Sequence, residues 1–296
     1  MTSFGPAVTR VAVTPDDRRL GVRTRTLADL AAGRPEVDLR SPHRVDQHVL
    51  LLVTAGHGSH MVDFEHYACR PGTLLWARAG QVVHHGRGLD AILVSWQPGF
   101  LPPIPATPWA IDDPFGPVCW QLTGEDEDAV IDEVSQLAVD CARFGHGEVA
   151  VEMLRHQLAV LVLRILMVPS VEPPAASDAD LDTFLRFRRA VEVSFATCRR
   201  VETYAADLGC SVRTLTRACL AATGRSAKQV LDERVALAAK RLLACTAQPI
   251  AAIGEQLGFP GPTHFGRFFH REVGCTPGAF RGTGDTRDPF VPRQRG

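Results

Sequence analysis

The chain has 296 residues, 45% of them hydrophobic, and its 32 basic and 33 acidic side chains leave a formal charge of −1. That length suits two compact domains of ordinary size. The near-neutral total hides an asymmetry: residues 178–296 hold 18 Arg and Lys against 12 Asp and Glu, whereas residues 1–177 hold 14 against 21. A polyanionic partner is therefore expected for the C-terminal part alone.

Asp16, Asp17, Arg18 and Arg19 stand where a signal peptide would carry its apolar run. The most apolar segment, 158–168, is interrupted by Arg164 and falls well short of the about 20 residues a membrane span requires. A cytoplasmic protein without membrane contact is the expectation. Eight cysteines are scattered without a C-x-x-C pair, which argues against a zinc ribbon or a disulfide framework.

In chain order, residues 1–20 are read as an arm able to close over a pocket. The runs 48–54, 60–69, 73–79 and 91–97 are short, rich in β-branched and aromatic residues, and separated by turns such as Gly56-His57-Gly58, Pro71-Gly72 and Gly86-Arg87-Gly88. Strands at this spacing predict an antiparallel barrel or a double-sheet jelly roll. Trp76, His84 and Trp96, with His60, are the candidate lining of a small-molecule pocket, since such pockets combine apolar walls with a few polar groups. For the two tryptophans, plain barrel core is an equally good reading. His57 and His60 are three apart, which on a strand places them on opposite faces. No metal and no cofactor is therefore expected.

Residues 125–144 and 148–168 read as two helices, the first with Asp126 and Asp128 at its positive N-terminal end. Leu154, Leu158, Leu161, Ile165 and Val168 form a seam at three- and four-residue spacing. It suits packing on the barrel or on the same helix of a second subunit. Pro173-Pro174-Ala175-Ala176-Ser177 marks a linker, set at residues 171–180.

Beyond the linker the chain repeats itself. Ala205-Ala206-Asp207-Leu208-Gly209, Leu215, Arg217 and Thr223-Gly224 are echoed about fifty residues later by Gly254-Glu255-Gln256-Leu257-Gly258, Phe265, Arg267 and Val273-Gly274. Each copy has the pattern of a helix-turn-helix, with Gly209 and Gly258 at the turns. Ser211 is a candidate N-cap, with Leu215, Cys219 and Leu220 inward and Arg213, Thr214, Thr216 and Arg217 toward DNA. In the second copy Phe265, Phe268 and Phe269 face inward, leaving Thr263, His264 and Arg267 outside. Residues 227–245 read as one amphipathic helix, which at 1.5 Å per residue would be about 28 Å long. That is close to the roughly 34 Å between successive major-groove faces.

On these residues the region from Phe184 to Arg281 resembles the DNA-binding domain of AraC/XylS-type bacterial transcription regulators. The resemblance is carried by Ile253, Gly258-Phe259, Phe265, Arg267, Phe269, Gly274, Thr276-Pro277 and Phe280-Arg281. Gly254, where that family usually has alanine, and the stiff Pro260-Gly261-Pro262 turn depart from its pattern. The N-terminal part resembles the cupin-like sensor domains that precede such DNA-binding domains, through 60–64, Arg70-Pro71-Gly72 and 80–84.

The resulting expectation is an α+β chain. A cupin-like antiparallel β-barrel with dimerisation-type helices (1–170) precedes an all-α double helix-turn-helix domain (181–283) and a disordered tail (284–296). The resemblance implies a non-enzymatic regulator that binds double-stranded promoter DNA as a homodimer, answers to an unidentified small-molecule effector, and can engage RNA polymerase. The rival reading is a cupin metalloenzyme with an accessory DNA-binding tail.

Overall fold

The computed structural model describes residues 21–33, 42–104, 111, 116–144, 147–168 and 177–283. They fall into two compact units that divide between Val171 and Glu172. The expected arm over 1–20, the tail over 284–296 and residues 171–176 of the expected linker lie outside the described residues.

In the N-terminal unit, short alternating runs become β1 (Val22–Thr26), β2 (His43–Arg44), β3 (His48–Gly56), β4 (Gly58–Val62), β5 (Glu65–Cys69), β6 (Thr73–Ala77), β7 (Val82–His85), β8 (Leu89–Trp96) and β9 (Cys119–Gln121), with a short helix α1 (Leu27–Gly33) after β1. They form two antiparallel sheets, ordered β1-β8-β3-β6-β9 and β2-β7-β4-β5. Because side chains alternate along a strand, the central strands β3, β6 and β8 of the larger sheet each serve two cores. Leu51, Leu75 and Leu93 belong to one apolar cluster, while Leu50, Leu52, Trp76 and Trp96 belong to another.

The β4–β5 hairpin turns on two residues, Asp63 and Phe64, both at positive φ (52° and 70°). Such a turn requires that backbone conformation twice, and neither residue is glycine. Asp63 offsets the strain by accepting hydrogen bonds from Gln81 Nε2 at 2.6 Å and from the Val82 amide at 3.1 Å.

Two helices, α2 (Glu125–Arg143) and α3 (Glu148–Met167), cover the outer face of the five-stranded sheet. The seam Leu154, Leu158, Leu161 and Ile165 is fully buried against that sheet and α2. Each such side chain contributes about 1.5–3 kcal/mol on burial. The packing alternative for this seam within one subunit is thus the one realised. Asp140 of α2 accepts hydrogen bonds from Gln136 (2.9 Å) and from Gln157 of α3 (2.6 Å), tying the two helices together.

The C-terminal unit is all helical: α4 (Asp178–Ser194), α5 (Val201–Asp207), α6 (Val212–Thr223), α7 (Ala227–Cys245), α8 (Ile250–Gln256), α9 (Pro262–Val273) and α10 (Pro277–Thr283). Ser177 caps α4 by accepting the Asp180 amide, so residues 178–180, assigned to the linker from sequence, are the first turn of a helix. Asp178 and Asp180 suit that turn because its free amides favour negative charge. Helices α5 and α6 make the first helix-turn-helix, and α8 and α9 make the second. Helix α7 joins them and begins with a capping box between Ser226 and Gln229.

The joining helix is held by buried charge as well as by its apolar stripe. Arg234, 7% exposed, forms two hydrogen bonds to Glu192 of α4 and lies 3.9 Å from the centroid of the Phe195 ring. Asp232, 5% exposed, pairs with Lys228 of its own helix and with Arg271 of α9 at 3.2 Å. The cost of breaking such a pair is about 3–5 kcal/mol where it strands a buried charge, as at Arg234, and less for Lys228 and Arg271, which are exposed.

The unusual Gly254 has a local reason. A Cβ on this buried residue of α8 would stand 3.0 Å from Phe265 Cβ. The missing methyl lets α9 approach α8 closely, which offsets the roughly 1 kcal/mol of helix propensity that glycine loses.

Candidate nucleic-acid interface and ligand cavity

Helix α6 buries Leu215, Ala218 and Cys219, and α9 buries Phe265, Phe268 and Phe269. Every buried position recurs at an offset of fifty, so the faces turned away from the core correspond as well. Arg213 and Arg217 are exposed with Thr214 and Thr216 half-buried beside them, and Thr263, His264 and Arg267 are all exposed. Leu220, expected inward, is 49% exposed. It lies five residues beyond Leu215, about 140° around the helix, and Ala218 takes the inward place instead.

Ser211 caps α6 as expected, accepting the Thr214 amide at 3.0 Å, and the Ser211 and Thr214 hydroxyls lie 2.9 Å apart. Thr214, expected from sequence to face DNA, therefore also serves the cap. Arg217 is engaged within the protein: its Nε and Nη2 both donate to Asp180 Oδ1 of α4, at 3.2 and 3.1 Å. The same carboxylate accepts the Ser177 hydroxyl at 3.0 Å. Near the second head, Arg199, Lys228 and Arg271 surround Asp232, and Arg271 also donates to Glu272 at 2.7 Å. Arg199 also stacks on Phe259, 3.7 Å from the ring centroid. With His264 they line a shallow surface depression, a cationic surplus beside α9 that periodicity alone did not single out.

In the N-terminal unit a cavity of about 90 Å³ opens between the two sheets. Leu51, Leu75, Leu93 and Ser95 line it from the five-stranded sheet, and β1 adds Arg23 and Arg25. From the smaller sheet come His43, His60, Val83 and His85. The register explains the cluster: His60 pairs directly with His85 across β4 and β7, and His43 pairs with Val83, two residues from His85 on the same face. The ring centroids of His60 and His85 are 4.9 Å apart, and those of His43 and His85 5.4 Å.

Burial dominates the chemistry of these imidazoles. It pushes His60 down to about 3, with the nearby His43 adding to the effect, and it holds His85 well below the usual range, with His60 adding. Both rings are therefore neutral at physiological pH. The Nδ1 atoms of His60 and His85 are buried and have no hydrogen-bond partner among the described residues. No group of three or more His, Cys, Asp or Glu among those residues is arranged to hold a metal ion.

Three of the four residues expected to line the pocket are placed elsewhere. Trp76 and Trp96 turn to the outer face, where they stand 5.6 Å apart and join the core under α2 and α3. Their neighbours Leu75, Ala77 and Ser95 take the inner face instead, because adjacent strand residues point oppositely. His84 is half-buried and is not among the cavity residues, whereas its neighbour His85 is. His60 does line the cavity. In Val82-Val83-His84-His85 two apolar residues are followed by two histidines, so the run does not alternate and could not be phased from sequence. Arg23 and Arg25 did carry a signal, the alternation Val22-Arg23-Thr24-Arg25.

Among the described residues no helix is long and apolar enough to cross a membrane.

Comparison with known proteins gives two family matches. A helix-turn-helix domain model matches residues 204–283, and an AraC-like ligand binding domain model matches residues 29–90. The HTH-type transcriptional activator RhaR of Klebsiella pneumoniae is 26% identical over 272 residues, covering 86% of this chain and 92% of the relative. The activator RhaS of Salmonella paratyphi B is 25% identical over 243 residues, covering 79% and 85%. Among solved structures, ToxT from Vibrio cholerae O395 aligns with 92% of this chain and 100% of its own at a TM-score of 0.46 and 10% identity. The chain is an AraC/XylS-type DNA-binding transcription regulator, with a helix-turn-helix domain preceded by an AraC-like ligand-binding domain.

Proposed function

We propose that α6 and α9 enter successive major-groove segments of promoter DNA, with Arg213, Thr214, Thr216 and Arg217 on one segment and Thr263, His264 and Arg267 on the next. The observation that carries this is the fifty-residue offset between the buried triads of α6 and α9, which repeats the outward faces on either side of the braced helix α7. Arginine, threonine and histidine on such faces supply donors for base edges and phosphates. Arg199, Lys228 and Arg271 add phosphate attraction beside the second head. The test is footprinting of the full chain on genomic fragments. Two protected segments about one helical turn apart, with affinity falling steeply as salt rises, support the assignment. A single protected segment removes it.

The cavity between the sheets is proposed as the effector site that controls promoter binding. The polar lining role passes to His60, His85 and His43, with Arg23 and Arg25, and is withdrawn from Trp76, Trp96 and His84. Catalysis is not part of this reading, and the metalloenzyme alternative finds no convergent donor set among the described residues. A cytoplasmic location follows from action on the chromosome, and contact with RNA polymerase is the expected route if the regulator activates.

Dimerisation is assigned to the face of α3 opposite its buried seam. Val160, Leu163 and Met167, at i, i+3 and i+7, are 42%, 41% and 82% exposed. Spacing of this kind lets two helices pack along a shared seam. Leu163→Glu is expected to convert a dimer to a monomer in sedimentation analysis while leaving the fold of each unit intact. A dimer that survives this change sinks the assignment.

A further inference from the structure

Helix α7 sets the distance between the two helix-turn-helix heads, but a single rod resists a change of length better than a turn of the heads about its axis. The angle matters, because with about 10–10.5 base pairs in each turn of DNA a rotation of roughly 35° corresponds to one base pair. A second attachment away from the α7 axis fixes that angle. The loop over 195–200, between α4 and α5, supplies one.

This loop is tied to the first head and rests on the second. Tyr204 of α5, 1% exposed, donates its hydroxyl to the Cys198 carbonyl and accepts the Ser194 hydroxyl, both at 3.0 Å. On the other side the Ala196 carbonyl lies against Gly258 in the α8–α9 turn, where an added Cβ would stand 2.4 Å from that oxygen. Between these points Arg199 reaches onto the second head. Its guanidinium carbon is 3.7 Å from the centroid of the Phe259 ring and 4.6 Å from that of Phe268, and the two rings are 5.0 Å apart. A planar guanidinium stacked on rings is held in orientation as well as in place. The Arg199 side chain is 21% exposed, against 54% for Lys228 and 62% for Arg271, which are the cations open to phosphates. Arg199 also approaches Asp232 of α7 at 3.9 Å, so the loop, the joining helix and the second head meet at one side chain.

We propose, resting on the two-segment reading of DNA above, that Arg199 is a positioning residue: from the α4–α5 loop it locks onto the Phe259 and Phe268 rings and so fixes the rotation between the heads, and with it the spacing of the DNA segments that the protein accepts. Spacing is then set by a contact on neither outward helix face. A change at this position alters which sites are accepted without removing a base contact.

The test uses the full chain and duplexes carrying the footprinted operator, with one base pair inserted or removed between the two protected segments. The wild-type chain is expected to bind the original spacing best. Arg199→Gln is expected to lose about tenfold on that spacing, the equivalent of about 1.4 kcal/mol, and little on the altered ones, so that the preference flattens. Arg199→Lys keeps the charge beside Asp232 but not the planar face, and is expected to behave as Arg199→Gln does. Phe259→Leu removes the ring from the other side of the contact and gives the same flattening if the arginine variants fail to fold. An equal loss at every spacing overturns the inference, and a salt dependence reduced by about one phosphate then marks Arg199 as a phosphate contact. An unchanged spacing preference in Arg199→Gln, or full rescue by Arg199→Lys, overturns it as well and leaves the two-segment reading standing. That reading fails on a different result: a single protected segment, or a wild-type chain indifferent to spacing, removes it and the positioning role with it.

Discussion

The two helix-turn-helix units bury the same three positions by different chemical means. Helix α6 fills its inward face with Leu215, Ala218 and Cys219 and starts on the Ser211 side-chain cap. Helix α9 fills the corresponding face with Phe265, Phe268 and Phe269 and starts at Gly261 and Pro262 without a side-chain cap. Its phenylalanines continue into a larger aromatic group, with Phe259 5.2 Å from Phe265 and Phe280 5.5 Å from Phe269. The first head is thus held by hydrogen bonds around a small core, and the second by aromatic mass. A repeat can conserve geometry while exchanging the forces that maintain it.

The largest test of that contrast lies in the core. Phe269→Ala should destabilise the second head by about 3–5 kcal/mol, as expected for truncating a fully buried ring. The matching change Cys219→Ala should cost the first head only about 1 kcal/mol. Amide hydrogen exchange along α9 and α6 in the full chain reads the two effects separately. Equal loss of protection in both heads would show that the aromatic group is not what holds the second one.

A smaller effect separates the two arginines proposed to contact DNA. Arg217 is paired with Asp180, whereas Arg267, at the corresponding place fifty residues on, forms no ion pair among the described residues. If both arginines contact bases, Arg267→Ala should cost about 1–3 kcal/mol of operator binding. Arg217→Ala should cost less, by the roughly 0–1 kcal/mol that an exposed pair already contributes in free protein. Binding isotherms on operator and scrambled duplexes check this. A loss of the same size on both duplexes assigns either arginine to phosphate contact instead.

How far the sequence foretold these features depended on whether a pattern had a phase. The joining helix over 227–245 was legible to the residue, and the two helix-turn-helix turns were marked by Gly209 and Gly258 at positive φ, whereas α4 and α10 carry no repeated pattern and were not singled out. Leu220 is apolar yet faces outward, because the angle around the helix and not apolar character decides direction. In the barrel, a strand buried on both faces carries adjacent apolar residues that point to opposite sides, as Leu74, Leu75, Trp76 and Ala77 do in β6. Alternation then cannot say which side holds the cavity, so pocket lining and barrel core are equally good readings of the two tryptophans from sequence, and they pack beneath the helices. The Asp180–Arg217 and Glu192–Arg234 pairs join residues about forty apart, a separation that no local periodicity encodes.

The smallest and most discriminating change is Asp180→Asn. It removes the charge that holds Arg217 while keeping a side chain of the same shape beside the Ser177 cap. Loss of a negative charge at the α4 N-terminus should cost about 0.3–1 kcal/mol of helix stability. Operator binding should move the other way. A freed Arg217 and one less carboxylate near the phosphates should raise affinity by up to about fivefold, the equivalent of about 1 kcal/mol. In an Arg217→Ala background that part of the gain which comes from releasing the guanidinium should vanish, since a double-mutant cycle isolates the coupling between the two residues. If Asp180 instead aims Arg217 at a base, the same substitution lowers affinity for the operator and relaxes its sequence preference. The sign of one binding measurement therefore decides whether the carboxylate restrains the first reading head or points it.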